Sequence, residues 1–384
     1  MPNFYKMNYF DRKITPSVIE NLKPNKVVVL LGSRRTGKTV LLKSIIEKLN
    51  EKHLFFNGDD FTTLSLFEPL TVEHFKSVLG DTRLMVVDEA QQIPQIGKAL
   101  KLIVDNIPGV RVLITGSSAF DIQNKTGEPL TGRKTTFYLY PFSQEEYNQN
   151  ENIIETKSRL NERLILGNYP ELMHLQSKNE KTGYLKDLAS SYLLKDILTF
   201  EGIKSADKIL SLLKLIAFQI GKEVSLHELG RQLGMHKNTV DKYLDLLSKT
   251  FVIFSVPAFS RNISNEISKS KRWYFFDNGI RNIIIENMND LNSRNDTGEL
   301  WENYIISERL KFQRNNEMLV SNYFWRTYQQ QEIDWIEERE GQLFAYEMKW
   351  NPNKRVKVPS AWNQAYPDSC FETINPDNYL SWIT

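Results

Sequence analysis

Apolar residues form short runs in the first third of the chain: residues 27–31 and 84–87 are unbroken, and residues 110–115 are interrupted by Arg111 and end in Thr115. A β-strand that is covered on both faces of a sheet has such a run, whereas a half-exposed strand alternates apolar with polar residues. Between the runs, apolar residues recur with helical spacing, as in residues 39–50. The pattern predicts an α/β segment with a parallel sheet over residues 1–142.

The first run leads into a glycine-containing octet. It reads Gly32, Ser33, Arg34, Arg35, Thr36, Gly37, Lys38 and Thr39, and a helical pattern follows it. This is the G-x-x-x-x-G-K-[ST] motif between a strand and a helix, where it binds nucleotide phosphates. Its glycines let successive backbone N–H groups surround a phosphate, and the helix dipole favours the same anion. Lys38 is predicted to reach the β- and γ-phosphates of ATP, and Thr39 to bind Mg²⁺.

Two acidic residues end the second apolar run. Asp88 and Glu89 directly follow residues 84–87. The carboxyl ends of the strands form the ligand-binding edge of an open α/β sheet, so both acids are expected beside the nucleotide. Asp88 is predicted to hold Mg²⁺, mostly through its water, and Glu89 to polarise the attacking water.

Two further residues are candidates for the same site. Ser117, with Thr115 close behind, ends the third run and is predicted to touch the γ-phosphate or the attacking water, with a plain turn as the alternative. Arg133 precedes a fifth predicted strand and is expected beside the active-site edge. From there it could reach the nucleotide of a neighbouring subunit, although surface arginines are common.

Helical patterns follow in residues 143–204. Residues 205–285 then show the order helix, helix, turn, helix and two strands, which predicts a winged helix. Lys237, Asn238 and Lys242 are predicted to face DNA from its third helix. Acidic residues on that helix would repel phosphates, so a structural module that packs on the rest of the protein is the alternative.

The last segment contains a set of charged residues with a recognisable arrangement. Glu302 lies on a predicted helix, Asp334 on a strand, and Glu347 and Lys349 on one face of the next strand. Carboxylates are ligands for Mg²⁺ or Mn²⁺, and a lysine can orient or deprotonate water. The set resembles the PD-(D/E)xK nuclease pattern, which implies a restriction-endonuclease-like domain with a second metal site. Charged residues on a solvated strand face are the alternative.

Composition narrows the remaining possibilities. The 384 residues are long for one domain, and a net charge of +2 neither requires nor excludes nucleic acid. The single cysteine cannot form an internal disulfide, which agrees with a cytoplasmic location. No apolar run approaches the roughly 18 residues of a membrane span, so no membrane partner is expected. All seven tryptophans lie between Trp273 and Trp382, which indicates a separately built C-terminal part.

Five motifs together resemble a known family. They are GSRRTGKT, LMVVDEA, ITGSS, LTGR and YPFSQEE, in that order. They resemble the branch of AAA+ ATPases found in prokaryotes with an uncharacterised C-terminal domain. The resemblance implies a five-stranded parallel core, a small helical lid over residues 143–204, Arg133 as a finger acting in trans, and a homo-oligomer. A small P-loop kinase is the competing interpretation, disfavoured because Asp88 and Glu89 supply a base for water and because too much chain follows.

The interpretation divides the chain into four parts. They are a P-loop AAA+-like core (residues 1–142), a helical lid (143–204), a winged helix (205–285) and a PD-(D/E)xK nuclease-like domain (286–384). Two functions remain open for the nucleotide cycle. One is an ATP-controlled nuclease that acts on nucleic acid such as DNA. The other is a nucleotide switch whose C-terminal domain binds a protein or nucleic-acid partner without cleavage.

Overall fold

The computed structural model describes residues 10–117, 130–193, 206–260 and 270–384. The chain forms two compact units, Met1–Tyr140 and Pro141–Thr384. Within the described ranges, no helix is both long and apolar enough to cross a lipid bilayer.

The first unit is built on a five-stranded sheet. Its strands are β1 (Lys26–Leu31), β2 (His53–Asn57), β3 (Leu84–Asp88), β4 (Arg111–Gly116) and β5 (Lys134–Tyr138). All pairs are parallel, and the order across the sheet is β2-β3-β4-β1-β5. The predicted parallel sheet is therefore confirmed. Because β4 lies between β1 and β3, the residues that follow these three strands meet at one edge.

Helices cover the sheet of the first unit. They are α1 (Thr15–Asn21), α2 (Lys38–Leu49), α3 (Phe61–Phe67), α4 (Val72–Leu79) and α5 (Ile96–Asn106), with a 3₁₀ turn at Ala90–Gln92. Val18 of α1 and Leu42 and Ile45 of α2 pack with Val28 of β1 and Leu113 of β4 in a buried core. This apolar packing holds α2 against the strand that precedes it, so the loop between them has fixed ends.

The second unit begins with helices and a two-stranded sheet. The helices are α6 (Gln144–Tyr147), α7 (Ile153–Leu166), α8 (Lys178–Asp187), α9 (Ala206–Phe218), α10 (Leu226–Leu233) and α11 (Lys237–Lys249), with a 3₁₀ turn at Pro170–Met173 and a π-helical turn at Leu188–Leu193. Strands β6 (Ile253–Pro257) and β7 (Lys271–Phe275) form an antiparallel pair. The elements of residues 206–275 follow the order that the sequence predicted, and the winged-helix assignment stays a prediction.

A four-stranded sheet completes the second unit. Its strands are β8 (Ser321–Arg326), β9 (Glu332–Arg339), β10 (Gln342–Met348) and β11 (Cys370–Ile374), and its helices are α12 (Asn278–Ile284), α13 (Thr297–Asn315), α14 (Ser360–Ala365) and α15 (Leu380–Ile383), with a 3₁₀ turn at Leu291–Ser293. The order is β11-β10-β9-β8, with β8, β9 and β10 an antiparallel meander and β11 parallel to β10.

A buried polar network joins the start of the second unit to α13. The carboxylate of Glu308, on α13, accepts hydrogen bonds from the backbone N–H of Gln144 (2.6 Å), from Asn168 Nδ2 (2.9 Å) and from Lys311 Nζ (2.7 Å). Such a group is stabilising only when every partner is in place, because an unpaired buried charge is costly. The segment around residues 144–168 is therefore bound to α13, and the subdivision of residues 143–384 into three domains stays a prediction.

Candidate functional site

The glycine-containing octet forms the loop between β1 and α2. Gly37 precedes the first residue of α2 with φ of +91°, a backbone conformation that disfavours residues with a side chain. Ser33 is buried, Arg34 half-buried, and Arg35 exposed with φ of +64°. The loop thus reverses the chain within a few residues and opens the amino end of α2 toward the sheet edge.

Lys38 is folded back onto this loop. Its Nζ donates hydrogen bonds to the carbonyl oxygens of Gly32 (2.9 Å) and Ser33 (3.0 Å), and the residue is only 5% exposed. Thr36 Oγ1 donates to the same Ser33 carbonyl at 2.9 Å. The ammonium is held inside the turn by these carbonyl oxygens.

A chain of hydrogen bonds connects the loop to the acids at the end of β3. Thr39 Oγ1 donates to Asp88 Oδ2 at 2.6 Å, and Thr115 Oγ1 donates to Asp88 Oδ1. Thr115 Oγ1 also accepts the backbone N–H of Glu89 at 2.9 Å. Asp88 is 4% exposed and Thr115 is fully buried. The Thr39 hydroxyl and the Asp88 carboxylate present adjacent hard oxygen donors, so these residues fit Mg²⁺.

Glu89 occupies a strained backbone position. Its φ is +50°, where residues with a side chain are uncommon, and the Gly58 N–H donates to the preceding carbonyl of Asp88 at 2.8 Å. Gln91 Nε2 donates to Glu89 Oε2 and, at 3.2 Å, to Ser117 Oγ. Ser117 therefore reaches the Glu89 carboxylate through Gln91, whereas Thr115 contacts Asp88 directly. Gln91 was not foreseen, because an amide after two acids has no distinctive sequence signal.

Arg12 is a second residue that the sequence reasoning missed. It precedes α1 and is 8% exposed, and its guanidinium donates to the carbonyl oxygens of Thr36 (2.7 Å) and Tyr140 (2.6 Å). One side chain thus holds the octet loop and the residue at the end of the first unit. An arginine among polar residues near the amino terminus carries no local signal of such a contact.

The location expected for Arg133 was wrong. Arg133 lies at the amino end of β5, since Lys134 pairs with Val27, whereas Leu31, which leads into the octet, pairs with Tyr138. The rise of about 3.3 Å per residue places Arg133 roughly 15 Å from its own subunit's loop, at the opposite edge of the sheet. Its Nε forms an ion pair with Asp105 Oδ1 at 2.5 Å. A role in trans stays a prediction.

The predicted nucleic-acid contacts lie on one exposed face of α11. Lys237, Asn238 and Lys242 are all exposed, but so are Asp241 and Asp245 on the same helix. Lys249 is paired with Asp245 at 2.7 Å. Carboxylates between the lysines reduce the positive potential that attracts a phosphate backbone. The face is polar and accessible without being strongly basic.

The charged residues of the C-terminal segment are brought together. Lys349 Nζ contacts Glu347 Oε2 at 2.5 Å and Asp334 Oδ2 at 3.5 Å. The Met348 N–H donates to Asp334 Oδ2 at 3.0 Å. Glu302, on α13, accepts a hydrogen bond from Tyr274 OH at 2.8 Å. We call Glu302, Asp334, Glu347 and Lys349 the carboxylate cluster.

Burial shifts the pKa values in the carboxylate cluster. Desolvation, with the nearby charge of Asp334, raises the pKa of Glu302 and of Glu347 from 4.5 to about 8. Burial lowers the pKa of Lys349, but Asp334 and Glu347 outweigh it and the net shift is upward. Burial thus favours the protonated forms of Glu302 and Glu347, and the cluster carries fewer negative charges than its composition suggests.

The cluster does not fit a divalent cation. Among the residues that the structure describes, no three His, Cys, Asp or Glu side chains are placed to hold a metal ion. Both oxygens of Asp334 face N–H groups or cations, since Arg272 Nη1 lies 3.5 Å from its Oδ1. Arg272 was not foreseen either. It lies two residues before Tyr274 on β7, so both side chains lie on one strand face, but this spacing does not reveal what that face packs against.

Comparisons with known proteins support the first unit's assignment. Residues 24–148 match the model of an AAA domain, and residues 157–291 and 297–375 match two models, each named Domain of unknown function (DUF8612 and DUF4143). An uncharacterized protein of Mycobacterium tuberculosis is 25% identical over 338 residues, covering 87% of this chain and 71% of that protein. An uncharacterized protein of Methanocaldococcus jannaschii is 24% identical over 376 residues, covering 92% of this chain and 82% of that protein.

A solved structure, the Thermotoga maritima RuvB Holliday junction branch migration motor, is 16% identical with a TM-score of 0.32. The similarity covers 64% of this chain and 88% of that chain. The domain match agrees with the parallel sheet and the octet loop. Residues 24–148 are thus similar to an AAA domain, which supports an AAA-type P-loop ATPase.

Proposed function

We propose that the first unit binds ATP and hydrolyses it in a Mg²⁺-dependent reaction. The observation that carries the proposal is the hydrogen-bonded chain from Thr39 through Asp88 and Thr115 to the Glu89 backbone, beside the buried ammonium of Lys38. The octet loop, the oxygen donors of Thr39 and Asp88 and the second carboxylate of Glu89 lie together at one sheet edge. These are the groups that phosphoryl transfer to water requires.

Each residue has a distinct task in this proposal. Octet-loop N–H groups and Lys38 bind the phosphates, and Thr39 with Asp88 would hold Mg²⁺. When bound, Mg²⁺ supplies positive charge beside the β- and γ-phosphates. Glu89 accepts a proton from the attacking water or orients it, and Gln91 with Ser117 holds the Glu89 carboxylate in place.

Lys38→Ala tests the proposal directly. Because a charge-assisted hydrogen bond contributes about 1.5–3 kcal/mol, ATP affinity should fall roughly 10- to 100-fold, and hydrolysis should be lost. Equilibrium binding of a fluorescent ATP analogue and phosphate release measure the two effects. Lys98→Ala, at an exposed lysine of α5, is the control and should change neither. Full nucleotide affinity in the Lys38→Ala protein would contradict the proposed site.

We further propose that the protein acts as a homo-oligomer in which Arg133 serves the neighbouring subunit's nucleotide. Its distance from its own loop supports a role in trans, because it cannot stabilise charge in the site of the same subunit. Arg133→Ala and Lys38→Ala proteins should each be inactive, and an equimolar mixture should regain phosphate release. In mixed oligomers an intact loop can meet an intact arginine.

A matched mixture controls for this effect. Glu89→Gln and Lys38→Ala remove groups of the same subunit's site, so mixing them cannot assemble a complete site and should restore nothing. If the Arg133→Ala mixture is only as active as the sum of its components, Arg133 does not act in trans.

We propose that the nucleotide state governs a second unit that binds a partner without cutting it. The observation that favours this over the nuclease hypothesis is that the acids of the carboxylate cluster are paired with cations. Arg272 pairs with Asp334, and Lys349 pairs with Glu347. The partner can be protein or nucleic acid, with Lys237, Asn238 and Lys242 as possible contacts to DNA.

Incubation with single- and double-stranded DNA and RNA separates the two hypotheses. Reactions contain Mg²⁺ or Mn²⁺, with and without ATP, and we expect no cleavage. Cleavage that Asp334→Ala abolishes while ATP hydrolysis is retained would instead establish the nuclease. Binding without cleavage, measured by gel shift, would identify nucleic acid as the partner.

A further inference from the structure

A buried arginine from a neighbouring element contacts the carboxylate cluster. Arg272 lies on β7, and its side chain is 4% exposed. Its Nη2 donates to Glu332 Oε2 at 2.8 Å and its Nη1 to Asp334 Oδ1 at 3.5 Å, while its guanidinium lies 4.6 Å from the centre of the Phe324 ring. Two acids of β9 and one aromatic ring of β8 thus surround one cation.

We propose that Arg272 takes the place of a divalent cation in the carboxylate cluster, so the cluster ties β7 to the C-terminal sheet and holds no metal ion. This inference deepens the proposal that the second unit acts without cleavage, and it is independent of ATP hydrolysis. It names the residue that keeps a nuclease-like set of acids from recruiting Mg²⁺ or Mn²⁺.

The charges around Asp334 are already compensated. A buried carboxylate requires a cation or several hydrogen bonds. Asp334 has Arg272 on one oxygen and both the Met348 N–H and Lys349 on the other. A divalent ion at this place would stand beside a guanidinium and an ammonium, and like charges a few ångströms apart repel strongly in a buried site.

The position of Arg272 is set by backbone pairing. Arg272 pairs with Val256 of β6 and forms an isolated bridge with Glu223. Tyr274, two residues further on the same face of β7, donates to Glu302 at 2.8 Å. The phenol thus donates a hydrogen bond to one oxygen of Glu302, as the guanidinium does to one oxygen of Asp334.

The contact between β7 and the C-terminal sheet is also continuous with backbone hydrogen bonding. The Phe259 N–H, just after β6, donates to the Phe324 carbonyl at 2.7 Å, and Ala258 bridges Phe324. Phe324 is the ring under Arg272. The two-stranded sheet is therefore hydrogen-bonded to the edge strand β8 beside the arginine. The face of β7 that carries Arg272 is covered by this contact and is not available to nucleic acid.

Mn²⁺ binding to the full-length, nucleotide-free protein tests the inference. Free Mn²⁺ is followed by electron paramagnetic resonance in titrations of the wild type, Asp334→Asn, Arg272→Met and the double variant. Methionine keeps an unbranched apolar stem like that of arginine, without the guanidinium and its charge. Wild type and Asp334→Asn should bind the same amount of Mn²⁺, so no ion depends on Asp334.

Arg272→Met should gain one Mn²⁺ site, at least about tenfold tighter than any binding by the wild type, because the freed oxygens are hard ligands. The double variant with Asp334→Asn should lose that site. Tryptophan emission checks folding, since all seven tryptophans lie in residues 273–382 of this unit. A wild-type Mn²⁺ site that Asp334→Asn removes overturns the inference even if Arg272→Met does not fold, and so does a folded Arg272→Met that gains no site.

The Mn²⁺ titrations and the ATP hydrolysis assay can each refute one proposal without affecting the other. Wild-type protein that hydrolyses ATP but binds Mn²⁺ through Asp334 refutes only the substitution of the cation by Arg272. Protein that binds no Mn²⁺ through Asp334 and also hydrolyses no ATP refutes only the proposed activity of the first unit.

Discussion

At the scale of single residues, Thr115 contacts the proposed ATPase site more directly than Ser117. Its hydroxyl donates to the Asp88 carboxylate and accepts the backbone N–H of Glu89, so one buried group contacts both acidic residues. Ser117 reaches Glu89 only through Gln91. The sequence favours Ser117 over Thr115 as the polar contact at this edge, because position near the end of a strand does not reveal which hydroxyl points toward β3.

Thr115→Val tests this role, since valine keeps the shape of threonine without its hydroxyl. The change leaves a carboxylate oxygen and a backbone N–H without their partner, which costs about 1.5–3 kcal/mol. If the loss falls on the chemical step, kcat should decrease roughly 10- to 100-fold while KM for ATP changes little. Thr136→Val, on β5, which is separated from β4 by β1 and lies outside the site, should have wild-type kinetics. A larger change in KM than in kcat would mean that Thr115 serves binding instead.

At the scale of structural elements, the turn after β3 depends on its contact with the turn after β2. Gly58 follows β2, and a Cβ atom at this position would lie 2.2 Å from the Glu89 carbonyl oxygen. No side chain fits at that distance without moving the backbone of Glu89. The two turns are therefore packed against each other, backbone to backbone.

Gly58→Ala should consequently displace Glu89 and lower kcat by at least about tenfold, because small misplacements of catalytic groups are costly. Gly183→Ala is the matched control. Gly183 lies within α8, where a methyl group would point into open space, so alanine there should stabilise the helix by about 0.5–1 kcal/mol without affecting hydrolysis. Steady-state phosphate release measures both proteins, and equal rates would show that the turn tolerates the shift.

The elements themselves follow closely from the sequence pattern. The unbroken apolar runs become β1 and β3, and residues 110–115, apolar except for Arg111 and Thr115, supply most of β4, because a strand covered on both faces favours apolar residues at successive positions. The position expected for Arg133 did not follow from this pattern. Arg133 precedes β5, and a residue that precedes a strand parallel to β1 lies at the amino ends of the strands, away from the octet loop that follows β1.

At the scale of the whole molecule, the second unit buries many ionisable groups. Arg309 pairs with Glu337 at 2.6 Å with both side chains at most 5% exposed, and Arg281 pairs with Asp296. The pKa of Asp296 is lowered to about 2, since its hydrogen bonds and charge pairing with Arg294 and Arg281 outweigh its burial. Protonating the acid of such a buried pair leaves its arginine without a counter-charge and destabilises the fold, so the stability of this unit depends on pH.

Glu302 and Glu347 should make the second unit less stable as pH rises. Their pKa is about 8 in the folded protein and ordinarily 4.5, so the folded state binds more protons between these values. The contribution of these two groups to stability is therefore full below about pH 4.5 and falls until about pH 8, by more than about 1 kcal/mol. Asp296 titrates below this window and does not oppose the trend.

Urea denaturation followed by tryptophan emission at pH 5 and pH 8 measures this trend in the second unit. Glu302→Gln keeps the acceptor for Tyr274 and should reduce the loss of stability between the two pH values. Glu299→Gln, one turn earlier with a carboxylate that is 36% exposed, should retain it. Identical pH dependence in all three proteins would mean that Glu302 does not titrate in this range.

The sequence by itself determined the α/β core, the octet loop with Lys38 and Thr39, and the acids Asp88 and Glu89. It could do so because these features are encoded in consecutive residues, whose apolar pattern and spacing specify a strand, a tight turn and a helix. It also identified the four residues of the carboxylate cluster, three of which make direct contacts with one another.

Only the tertiary structure decided what surrounds these groups. Arg12 reaches the octet loop from 24 residues away in the chain, and Arg272 reaches Asp334 across 62 residues. The charge state of a buried cluster depends on every neighbour within a few ångströms, whichever part of the chain supplies it. For this reason Asp334, which belongs to a set of residues that resembles a metal site in sequence, is paired with an arginine in the folded protein.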